Sequence, residues 1–195
     1  MAYDAKNFDH LLGTPRFSDQ LLKNHFILYQ GYVTNTNKLA EILLTMVKEG
    51  KATTPEFAEL KRRFGWEFNG MRLHEWYFGN MANGGTSRGQ SRLATEMDAF
   101  FGDYETWEKA FKAVGMMRGI GWVVFCYDPV GKRFFNQWIN EHDVGHLAGT
   151  IPLLIMDVFE HAYMVDYGLK RADYIEAFFK AIDWSVVEKR FEHGF

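Results

Sequence analysis

Ile151-Pro-Leu-Leu-Ile-Met-Asp157-Val-Phe-Glu160-His161-Ala-Tyr163-Met-Val-Asp-Tyr167 is the stretch from which the rest of the chain is read. Its first six residues are an apolar run with the length of a buried strand rather than a helix. The run ends on a carboxylate, Asp157, and a helix-compatible segment follows with an imidazole, His161, four residues on. An aspartate at the end of a buried strand and a histidine one helical turn later can point at a common centre. Mixed oxygen and nitrogen donors of this kind suit a first-row ion such as iron, manganese or zinc. The same spacing fits a capping box, with Asp157 as N-cap and Glu160 at the third helical position. On spacing alone the cap is the simpler reading, and both stand at this point.

Composition bounds the alternatives. At 195 residues the chain is one domain or two small ones and can bury a sizeable core. A hydrophobic share of 47% with 17% aromatics argues a packed globular protein. A net charge of −3 and the absence of a basic cluster give no reason to expect nucleic acid as a partner. No apolar run has the length of a membrane span, so no membrane partner is expected either. The N-terminal residues lack a basic region followed by an apolar one, and a cytoplasmic location is the expectation. The single cysteine, Cys126, lies in an apolar run and reads as a buried, inert thiol.

The periodicity predicts an α+β protein. Ser18 caps a long helix over about 20–49, and Thr54-Pro55 starts a second to about Arg63. A third covers about 66–80, and two more cover about 91–101 and 104–118. Residues 122–127 and 133–139 read as a hairpin across the turn Asp128-Pro-Val-Gly131, and residues 151–156 add a third strand. Helices over about 160–169 and 172–191 close the chain. The glycine-rich stretch Asn83-Gly-Gly-Thr-Ser-Arg-Gly89 reads as a flexible link. It divides a helical N-terminal domain, 1–84, from a C-terminal domain, 85–195, with a small three-stranded antiparallel sheet flanked by helices.

Asp157-Val-Phe-Glu-His-Ala-Tyr163 resembles the C-terminal signature of the iron/manganese superoxide dismutases, Asp-x-Trp-Glu-His-Ala-Tyr, whose Asp and His are metal ligands. The resemblance implies two further histidine ligands upstream. His74 stands in Leu-His-Glu-Trp-Tyr-Phe78, which is similar to the family's Asn-His-x-x-Tyr-Trp; by its neighbours alone, a core histidine among aromatics is the commoner fate. His25 is the other candidate, since Tyr32-Val-Thr-Asn-Thr-Asn37 downstream resembles the family's Tyr-Val-x-Asn-x-Asn. Two departures sit here. The family generally separates that His and Tyr by eight residues, and this chain by seven, so that His25 and Tyr32 share a helix face. A channel-lining histidine four residues after the ligand is replaced by Tyr29.

His142, fifteen residues before Asp157, matches the loop histidine that in some archaeal and mycobacterial iron enzymes replaces a glutamine near the metal; the other usual place for that glutamine, four residues before His74, holds Gly70. A separate metal pair of His142 with His146 is the competing reading. The resemblance further implies that Tyr77, Trp122 and Phe159 wall the pocket, and that Arg171 contributes to anion steering. It also implies that Glu160 and Tyr163 reach toward a partner in a homodimer or homotetramer. Tyr32 and His142 are then the residues that tune the centre, with superoxide as substrate. One ion per chain is expected, iron in preference to manganese because of His142 and Gly70. Two alternatives remain: a family member that keeps its metal with little turnover, and an unrelated zinc hydrolase using His74, His161 and Asp157.

Overall fold

The computed structural model describes residues 2–193. After a short 3-10 turn at Asp9–Leu11, the N-terminal part is a hairpin of two long helices, α1 (Asp19–Lys48) and α2 (Pro55–Gly79). Each begins on a cap, since Ser18 Oγ accepts from the Leu21 amide and Thr54 Oγ1 from the Phe57 amide. Side-chain pairs run in opposite directions along the two helices, Tyr29 to Glu75 and Asn35 to Glu67, so the packing is antiparallel.

The second and third helices expected from the sequence are one. No capping side chain precedes Trp66, Gly65 keeps ordinary helical backbone, and one glycine in a helix interior costs only about 1 kcal/mol. On α1 the buried residues are Leu21, Leu22, His25, Phe26, Tyr29, Val33, Thr36 and Leu43, while Leu28, Asn35 and Leu39 stay partly or fully exposed.

Two helices, α3 (Arg92–Phe101) and α4 (Tyr104–Gly115), lead into a three-stranded antiparallel sheet of β1 (Gly121–Asp128), β2 (Arg133–Asn140) and β3 (Ile151–Asp157), ordered β2-β1-β3. The fold is α+β, as the periodicity predicts. Register places Trp122 opposite Asp157. Gly121, at φ +151°, admits the neighbouring strand where a Cβ would lie 2.0 Å from the Ile139 carbonyl oxygen.

The C-terminal segments differ most from expectation. The helix expected over 160–169 is a 3-10 turn (Glu160–Ala162) and a single-turn helix, α5 (Met164–Tyr167). The one expected over 172–191 is two, α6 (Arg171–Phe179) and α7 (Trp184–His193). The break between them bonds to the glycine-rich connector. The Ala82 amide donates to the Ala181 carbonyl and the Thr86 amide to that of Ile182, each at 2.8 Å, while the Asp183 amide donates to the Asn80 carbonyl at 2.9 Å. A Cβ on Gly85 would meet the Lys180 carbonyl oxygen at 2.5 Å. The connector is therefore tied down at its start and does not act there as a free link.

Candidate metal centre

Four side chains from distant parts of the chain meet between the helical hairpin and the sheet. α1 supplies His25, α2 His74, the end of β3 Asp157, and the 3-10 turn after it His161. One donor atom from each lies within 4.8 Å of the others. Asp157 Oδ2 is the hub, 3.2 Å from His25 Nε2, 3.6 Å from His74 Nε2 and 3.1 Å from His161 Nε2. His25, His74 and Asp157 are buried, and His161 is partly exposed.

The two readings of Asp157 are resolved by dividing its oxygens. Oδ1 accepts from the Phe159 amide at 2.8 Å, a local turn bond rather than a capping box, and this leaves Oδ2 aimed at the three imidazoles. Across that turn, four residues carry the chain from the last strand position to His161 without an α-helical turn between them.

Tautomers follow from the partners. The Gly70 carbonyl lies 2.6 Å from His74 Nδ1 and can only accept, so Nδ1 carries the proton and Nε2 presents a lone pair to the centre. His74 Nε2 and His25 Nε2 are buried and make no hydrogen bond, despite lying near Asp157. Two orphaned imidazole nitrogens beside a carboxylate are costly in an apolar interior unless a cation completes them. Burial pushes the His25 imidazole down to about 4, and it also drives His74 well below its usual value, so both are neutral at pH 7, the form a metal requires. Burial works to raise the Asp157 carboxyl, but its imidazole neighbours, His161 first, outweigh it and hold it low. Three imidazole nitrogens and one carboxylate oxygen fit a first-row divalent or trivalent ion.

Around these donors the expected pocket residues fall into place. His142 is fully buried, not an exposed loop residue. Its Nδ1 accepts from Trp122 Nε1 at 3.0 Å, so its Nε2 holds the proton and donates to the Tyr32 hydroxyl at 2.8 Å. His146 Nε2 donates to the His142 carbonyl at 2.9 Å, an arrangement in which the two rings do not act as a metal pair. Trp122 stands edge-on to His74, and Phe159 stacks on both His142 and His161. Tyr77 packs on His25, and its hydroxyl donates at 3.2 Å to that of Tyr174, whose own proton goes to the Asp157 carbonyl at 2.6 Å.

Tyr29 is turned away from Tyr32 and His142; its hydroxyl donates to Glu75 at 3.0 Å and accepts from the Lys6 amide at 3.0 Å. Arg171 donates to the Met117 and Gly119 carbonyls and to the Tyr163 hydroxyl, while Glu160 lies exposed beside it.

One cluster near the centre goes unremarked in the sequence reading. Trp66 faces His142 edge to face at 4.4 Å and donates its indole N–H to Glu141 at 3.0 Å. The Arg63 guanidinium covers the indole at 3.9 Å and pairs with the buried Glu67. Trp66, Arg63 and Glu67 border a surface groove that reaches Tyr32. The only signal for them was Trp66 lying one helix face before His74, eight residues upstream.

A largely buried three-nitrogen, one-oxygen donor set between a helical hairpin and a small sheet is a candidate site for a single metal ion. Comparison with known proteins narrows the class. Residues 89–190 match the profile of the iron/manganese superoxide dismutases, C-terminal domain. The chain is 37% identical to the superoxide dismutase [Fe] of Cupriavidus metallidurans, over 89% of this chain and 88% of that one. It is 36% identical to the superoxide dismutase [Fe] of Aquifex aeolicus, over 90% and 84%. It is 33% identical to the superoxide dismutase [Mn] of Haloarcula marismortui, over 95% and 90%. The chain belongs to the iron/manganese superoxide dismutase family, and the zinc hydrolase alternative falls away.

Proposed function

We propose that the chain disproportionates superoxide, two anions and two protons giving dioxygen and hydrogen peroxide, at one iron or manganese ion held by His25, His74, Asp157 and His161. The observation that carries this is the pair of buried, unpartnered imidazole nitrogens converging on Asp157 Oδ2. An iron or manganese ion held there would supply one-electron redox chemistry. The protein's own residues do the rest. Tyr77, Trp122 and Phe159 exclude water from the donor set. Trp122 fixes the His142 tautomer, and His142 holds the Tyr32 hydroxyl as acceptor, which leaves the hydroxyl's own proton free to serve a substrate entering by the groove. Burial raises the Tyr32 phenol, with the Asp157 charge adding to it, so the group stays protonated at neutral pH.

Iron is favoured over manganese by the loop histidine and the absence of a side chain at Gly70. Division into parts 1–84 and 85–195 belongs to the same reading, as does a cytoplasmic homodimer or tetramer in which exposed Glu160 and buried Tyr163 approach the partner. The test is metal analysis of purified protein followed by superoxide disproportionation assays with iron or manganese reconstituted. One ion per chain with dismutation is expected. The second reading, a metal-holding relative with little turnover, draws on Tyr29, whose hydroxyl is committed to Glu75. One ion per chain without dismutation would establish it.

A further inference from the structure

Trp66, Gly70 and His74 stand four residues apart on α2 and so form one stripe along it. The middle position is a notch, and the Tyr32 ring fills it. A Cβ on residue 70 would lie 2.6 Å from Tyr32 Cδ1, 2.7 Å from Cε1 and 3.1 Å from Cγ. The same ring lies between its two neighbours on the stripe, its centroid 5.6 Å from that of Trp66 and 5.1 Å from that of His74, with the His74 ring nearly parallel.

The shortened spacing in α1 accounts for this placement. At about 100° per residue, seven residues end within about 20° of two full turns, whereas eight would end about 80° past them. Tyr32 thus keeps the direction of His25, whose ring meets His74 at 5.0 Å, and it comes down on the α2 stripe.

We propose that Gly70 is the positioning residue for Tyr32: the phenol occupies the volume of a side chain at position 70, and only that seat lets its hydroxyl reach His142. The proposal rests on the dismutase reading only for its effect on turnover.

The experiment compares Gly70→Ala, Tyr32→Ala, Tyr32→Phe and the doubles Gly70→Ala/Tyr32→Ala and Gly70→Ala/Tyr32→Phe. Metal content, melting temperature and turnover are read for each. Gly70→Ala should lower the melting temperature by about 3–10 °C through overpacking, and the decrement should vanish where Tyr32 is already alanine. Metal content should hold at the wild-type level. Turnover of Gly70→Ala should fall about tenfold, to the level of Tyr32→Phe, and the double with Tyr32→Phe should fall no further. Equal melting decrements with and without the Tyr32 ring would overturn the proposal, as would wild-type turnover in Gly70→Ala. If Gly70→Ala does not fold, recovery of folding in the Tyr32→Ala double supports the pairing and failure to recover overturns it. A wild-type protein that binds metal without turning over would remove the dismutase reading alone, and the melting-temperature coupling would still decide this one.

Discussion

The donor cluster and the channel mouth lie side by side and are built on different terms. His25, His74 and Asp157 project from the interiors or ends of long regular elements, and each is held by backbone or by buried rings. Tyr32, Trp66, Glu141 and Arg63 instead depend on side-chain contacts made across a helix face and to a loop that starts with Glu141 at φ +49°. A metal site tolerates little displacement of its donors, whereas access and proton supply can be met by several arrangements around the same centre.

Breaking the cluster should have the largest effect. Asp157→Ala or His161→Ala removes a donor, and metal content should fall to background with turnover reduced by at least about a thousandfold. Elemental analysis alongside circular dichroism separates loss of metal from loss of folding.

Acid probes the same region without mutation. In metal-free protein burial pushes the His25 imidazole down to about 4, against its ordinary value of 6.5 in the unfolded chain. Between those values the unfolded state binds the extra proton, so stability is complete above about pH 6.5 and declines as pH falls toward 4. For His25 alone the loss amounts to about 3 kcal/mol, and His142, also lowered to about 4 by burial, acts in the same direction. Denaturant melts at pH 7 and pH 4.5 check this; equal stability at the two values would mean that His25 is not buried as a neutral base.

At the mouth the effects should be smaller. His142→Ala should leave metal content unchanged and cut turnover about 10–100-fold, because Tyr32 loses the donor that orients it. Full activity in that variant would remove His142 from the site. Trp66→Phe keeps the ring against His142 but deletes the N–H that holds Glu141, and should cost about 1 kcal/mol of stability with no loss of metal. A shift in KM without a change in kcat would place Trp66 at entry, and a change in kcat would place it with His142.

What was legible in the sequence follows from distance along the chain. Asp157 and His161 share a seven-residue motif, and His74 and Tyr77 share another, so each pair announces itself locally. His25 and Tyr32 were readable because one unbroken helix carries both. Trp66 and Glu141 are 75 residues apart, and nothing local to either names the other. The division of the last helix was hidden for the same reason. Its residues 181–183 have helical neighbours on both sides, and what stops the helix is backbone pairing with residues 80–86. The local turn bond of Asp157 mimics a capping box in spacing, and only the position of Phe159 distinguishes the two.

Arg190, near the end of α7, donates to the Trp76 and Leu153 carbonyls and to the Asn80 side chain, which itself bonds both backbone groups of Ile155. The helix bearing His74 and the strand ending in Asp157 are thus fastened together by a side chain of α7, distant from both in sequence. Removing that one guanidinium would release both segments at once from their common fastening.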